Sequence, residues 1–136
     1  MAISVLRVSA IAGVLMLSVA GTALAHHSYA AFDRTKTVDV TGTIETIEWT
    51  NPHIWVFMQA PGPNGKMTRW AVEGDGPGGM ERAGWKKSAA KPGDKITLTI
   101  NPMITGQVGG HYVTAVLPGN IQIGRHSDQV APTTKP

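Results

Sequence analysis

The sequence predicts an all-β domain, a small OB-like, partly open barrel of five to six strands with one short helix between strands 3 and 4. Three observations point to it. Apolar residues recur with period two over most of the chain, the mark of strands with one buried face. The first of these stretches is long and changes phase once. The period-two signal then breaks in a single glycine-rich place, between the third and fourth stretches. Strand, strand, strand, short helix, strand, strand is the order of a five-stranded Greek-key barrel of the OB type, an order that other small barrels or a sandwich can share.

Taken in order, "TVDVTGTIETIEW" (residues 37–49) carries Val38, Val40 and Ile44 on one parity and Ile47 and Trp49 on the other. A phase shift of one residue inside a continuous strand signal predicts a β-bulge between Ile44 and Ile47, which lets the strand bend around a barrel. Asn51 and Pro52 punctuate the chain as a turn. "HIWVFMQA" is apolar on both faces, with Ile54, Val56 and Met58 on one side and His53, Trp55 and Phe57 on the other. "PGPNG" (residues 61–65) is rich in turn formers and predicts a hairpin connection into "KMTRWAVEG", where Trp70 and Val72 alternate.

"GDGPGGMERAGWKKSAA" holds the one plausible helix, with Met80 and Ala83 three apart on one face and Gly84 or a later residue as its stop. Strand character returns in "KPGDKITLTIN", with Ile96, Leu98 and Ile100 facing in and Thr97 and Thr99 facing out. "HYVTAVL" follows a glycine-rich link, with Val113, Ala115 and Leu117 alternating, and "NIQIG" closes the domain.

The flanks read differently. Met1 to Arg7 carry one positive charge, and Val8 to Ala20 form an uncharged apolar run shorter than the roughly 20 residues a membrane span needs. The triplet Ala23, Leu24, Ala25 has the small-x-small form that signal peptidase accepts. Residues 1–25 are therefore expected to be a secretory signal peptide, residues 26–124 the barrel domain and residues 125–136 a flexible tail with too little apolar content to fold. The protein is expected to be periplasmic or secreted, with no membrane span after cleavage.

Cleavage after Ala25 leaves 111 residues, which suits one small domain. Arg7 departs with the leader, so 11 basic residues face 9 acidic ones, too mild a balance for a nucleic-acid partner. The chain has no cysteine. Disulfides and thiolate metal sites are excluded, and any metal must rest on nitrogen and oxygen donors.

The joint presence of "AHHSYAAFD", "GTIETIEWTNPHIW", "RAGW", "KPGD" and "NPMITG" resembles a family of small exported bacterial proteins known as a domain of unknown function. The resemblance spans roughly residues 26–123. It implies export and a compact β domain, and it implies no substrate, reaction or cofactor.

Function therefore has to be argued from side chains, and five histidines are the first candidates. His126 lies in the tail. His26, His27, His53 and His111 are the candidate metal ligands, His26 as the first residue of the processed chain. An N-terminal histidine offers its α-amino nitrogen and Nδ1 to one ion, and a second imidazole completes a three-nitrogen set that suits Cu(II) better than zinc. The α-amino group, with a reference pKa of about 8, gives up its proton when metal binds. A histidine pair at a processed terminus also fits a solvated end, and His53 also fits a ring that caps the Asn51–Pro52 turn.

An enzyme is the class with least support. "GDGPGG" lacks the Lys-Ser/Thr of a phosphate loop, no serine sits in a nucleophile elbow, and the carboxylates Asp33, Glu45, Glu48, Glu73, Asp75 and Glu81 show no spacing that demands acid–base work. Two readings remain open. One is a copper-binding module built on the histidines. The other is an interaction domain whose face, with Trp55, Phe57 and Trp70, receives a peptide, glycan or protein partner.

Overall fold

The computed structural model describes residues 29–124. The expected leader, the tail, His26, His27 and His126 lie outside the described residues. The compact unit that carries the barrel begins at Phe32. Among the described residues no helix is long and apolar enough to cross a membrane.

Six strands form one sheet: β1 (Val38–Glu48), β2 (Trp55–Pro61), β3 (Met67–Glu73), β4 (Lys95–Pro102), β5 (Gly109–Leu117) and β6 (Ile121–Ile123). β1 pairs antiparallel with both β2 and β4, β2 with β3, and β4 with β5. β3 and β5 then run parallel and pair over Ala71↔Gly109, Val72↔Gly110 and Glu73↔His111. That last pairing closes the ring. The barrel is thus of OB type but closed rather than partly open, with β6 added on β5.

The bulge expected in the first strand is present. Ile44 pairs with Met58 and Thr46 with Phe57, which leaves Glu45 as the extra residue. Before it, Val40 and Ile44 are buried; after it, Ile47 and Trp49 pack against the core from the other parity. Val38 shares the parity of Val40 but is 42% exposed, because it opens the strand at the rim.

A second bulge lies in β5, where Thr99 pairs with Thr114 and Ile100 with Tyr112, so Val113 is the extra residue. Uninterrupted alternation from Ala115 and Leu117 would have carried Val113 and His111 onto the core face. Instead Tyr112 enters the core cluster, Val113 is buried outside that cluster, and His111 turns to the opposite face.

The helix α1 (Pro77–Arg82) starts with proline in its first turn, where a missing N–H costs nothing, and stops at Gly84 with φ +99°. A 3-10 turn follows at Lys87–Ala89. This connection sends Met80 and Trp85 fully into the core, where Trp85 meets Tyr112 edge-on with ring centroids 5.7 Å apart. Each such side chain contributes about 1.5–3 kcal/mol on burial, so the helix connection is part of the core.

Candidate functional site

Only three polar or charged residues among those described are buried: Glu73, Asn101 and His111. They are neighbours in one row across the sheet, Glu73 opposite His111 and His111 opposite Asn101. The row lies on the face opposite Val72, Ile100 and Tyr112, which belong to the core. A small barrel gains no stability from leaving polar groups dry unless they are hydrogen-bonded. Each of the three has a polar partner within reach.

Glu73 ends β3, and its Oε1 lies 2.5 Å from His53 Nδ1; a carboxylate can only accept, so the proton between them belongs to Nδ1. His53 sits just before β2, after the cis Asn51–Pro52 bond, and its ring is about a quarter exposed. The register explains the meeting: Glu73 pairs with Trp55, two residues beyond His53 on the same strand face. His111 Nδ1 lies 3.0 Å from the carbonyl oxygen of Tyr112. A carbonyl can only accept, so Nδ1 carries the proton and the lone pair of the neutral ring is on Nε2. That Nε2 faces Asp75 Oδ1 at 4.0 Å. Asn101 donates from Nδ2 to the Lys36 carbonyl at 2.7 Å.

The segment Phe32–Lys36 borders this row. Phe32 bridges to Met103, Asp33 N–H donates to the Pro102 carbonyl at 2.8 Å, and the Phe32 ring stands 5.4 Å from that of His111. Phe32 thereby gives His111 an apolar neighbour. Asp33 itself is held below the usual carboxylate range, first by the Thr35 hydroxyl and then by Lys36.

His53 and His111 therefore belong to one end of the barrel and are joined through Glu73. Among the described residues, no three His, Asp or Glu side chains are grouped so as to hold an ion by themselves. His26 and His27 fall outside the described residues. Glu73, Asp75, Asn101 and Phe32 were not legible as site residues. The carboxylate spacing along the chain carries no trace of a strand pairing that joins β3 to β5, and a buried asparagine looks like any other before burial is known.

The proposed aromatic face is divided. Trp55 and Phe57 lie outside the core, half-buried, with rings 16° from parallel and centroids 6.2 Å apart. Arg69 places its guanidinium 4.1 Å from the Phe57 centroid, and Glu45 holds Arg69 Nε at 2.6 Å and Gln59 Nε2 at 2.6 Å. These bonds, Gln59 first, draw the Glu45 carboxyl below its ordinary range. Trp70 does not join them. It pairs with Met58 on the inner side, is 8% exposed and donates Nε1–H to the Pro61 carbonyl at 3.3 Å. Period two placed Trp70 in phase with Val72, and both are core.

Residues 13–112 fit the model of a family described only as a family of unknown function. Neither a curated protein nor a solved structure matches the chain.

Proposed function

The chain belongs to the DUF6152 family, and from that premise we propose that it is an exported, periplasmic or secreted, binding protein whose histidine end holds a metal ion, with Cu(II) favoured. The observation that carries this reading is the state of the two imidazoles. His53 gives Nδ1–H to Glu73 and His111 gives Nδ1–H to a backbone carbonyl. Ligating histidines are characteristically held in this way, by a carboxylate or carbonyl on the nitrogen that does not bind the metal.

Support for copper comes from the donor set. The chain has no thiolate to offer, and imidazole nitrogen with a carboxylate nearby suits Cu(II) over softer ions. A further donor has to come from outside the described residues, and the sequence offers His26 as a processed terminus.

The test is a Cu(II) titration of the chain beginning at His26, against a weak competing chelator. One tightly held equivalent is expected. His53→Ala and His111→Ala should each weaken it, and His126→Ala should leave it unchanged. One residue added before His26 should weaken binding by orders of magnitude, because the α-amino nitrogen then leaves the chelate. No uptake above that of His53→Ala would overturn the reading.

The second reading, an interaction face, is favoured by the Trp55–Phe57–Arg69 ladder. A peptide, glycan or protein partner bound there would be lost with Phe57→Ala and kept with His53→Ala. Trp70 has no part in that surface.

A further inference from the structure

We infer that Glu73 is the positioning residue of the histidine end: it dictates which nitrogen of His53 is presented to an incoming metal ion. The inference rests on the metal reading above and goes beyond it by assigning the atom and the residue that selects it.

An imidazole has two neutral tautomers, and in water neither is locked. At His53 the choice is removed by a carboxylate. Glu73 Oε1 stands 2.5 Å from Nδ1, and an ionised carboxylate accepts but cannot donate. The proton of the neutral ring is therefore on Nδ1, and the lone pair is on Nε2. The ring keeps about a quarter of its surface exposed while the Glu73 side chain keeps only 8%. The selector is buried and the selected ring reaches the surface.

Glu73 is itself well placed to hold its position. It ends β3 between two strands, opposite Trp55 on β2 and opposite His111 on β5. The backbone on both sides is fixed by sheet pairing, so the carboxylate has little freedom to follow the ring if His53 turns. Asp75, the other acid at this end, is more exposed and lies nearer to His111 than a general surface charge would, but at 4.0 Å it is beyond a direct hydrogen bond.

Support of this kind is worth about 10- to 100-fold in metal affinity when it is removed. Glu73→Gln keeps the side-chain length, and its amide can either accept from Nδ1–H or donate to a bare Nδ1. It therefore releases the tautomer without emptying the space.

The experiment has a metal-free arm and a metal arm, both on the chain beginning at His26. In the first, long-range nitrogen–proton NMR of the neutral His53 ring should show the proton on Nδ1 in the parent protein and a mixture of both tautomers in Glu73→Gln. In the second, Glu73→Gln should bind Cu(II) about 10- to 100-fold more weakly than the parent, with the same donor atoms in its electron paramagnetic resonance spectrum. A parent ring with its proton on Nε2 would overturn the inference whatever the metal does. So would unchanged Cu(II) affinity in Glu73→Gln alongside a large loss in His53→Ala, since Glu73 would then be structural only. A changed donor set in Glu73→Gln would overturn it too, because Glu73 would be a ligand. An Nδ1–H ring in a protein that takes up no Cu(II) would sink the metal reading and leave the tautomer assignment standing.

Discussion

Glu73 stands directly opposite His111 in the last residue pair of the parallel β3–β5 ladder. The contact that closes the barrel is thus also a contact of the candidate site. Strands that pair only over Ala71 to Glu73 and Gly109 to His111 must approach closely: Gly109 permits the approach to Ala71 on β3, and Gly110, which pairs with Val72, permits that of β5 to Asn101 on β4. A change that loosens closure should therefore reach the histidine end.

Gly110→Ala tests this coupling. Its Cβ would press on the Asn101 carbonyl oxygen and come to 2.8 Å from Ile100 Cδ1, against the core. Overpacking of this kind costs about 1–3 kcal/mol. The urea midpoint should fall accordingly, and the His53 and His111 ring signals should shift with it in NMR spectra, whereas an exposed Gly65→Ala has nothing within 4 Å of its Cβ and should leave those signals in place.

Asn101→Ala probes the polar row from its other end. The Lys36 carbonyl, now bonded at 2.7 Å, would lose its donor in a part-buried position. A loss of about 1–3 kcal/mol is expected, measurable by chemical denaturation, with faster amide exchange across residues 32–36 as its local signature. Equal exchange in parent and variant would show that Asn101 does not hold the segment.

Trp70 and Phe57 should separate cleanly. Trp70→Ala empties a core position and should cost about 3–5 kcal/mol. Phe57→Ala removes a half-buried ring outside the core cluster, where the loss is its contacts with Trp55 and Arg69, and should cost less than half as much in the same denaturation series.

Acid stability gives a fourth test. The Glu45 carboxyl is held below its ordinary range in the folded chain, by Gln59 and then by Arg69. A depressed folded pKa adds stability that is present above the unfolded value and is lost as pH falls through the folded one. Glu45→Gln should therefore be less stable than the parent at neutral pH, and the difference should shrink as pH is lowered below the ordinary carboxylate range. A difference that stayed constant with pH would remove the charge from the explanation.

The strand order, the bulge after Ile44, the helix that ends at Gly84 and the inward Ile96, Leu98 and Ile100 were all legible in the sequence by itself. Each depends on the alternation of apolar side chains over a few neighbouring residues, or on a glycine or proline whose backbone preference is local. The absence of thiolate donors and the candidacy of His53 and His111 were legible for the same reason, since residue type is enough to propose them. Tertiary structure decided the rest. Only the β3–β5 pairing brought Glu73 to His111, only the β2–β3 register brought it to His53, and only the extra residue at Val113 turned His111 away from the core face. Those are relations between segments far apart in the chain, set by which registers let the ring close over a filled core, and period two along one strand carries no information about them.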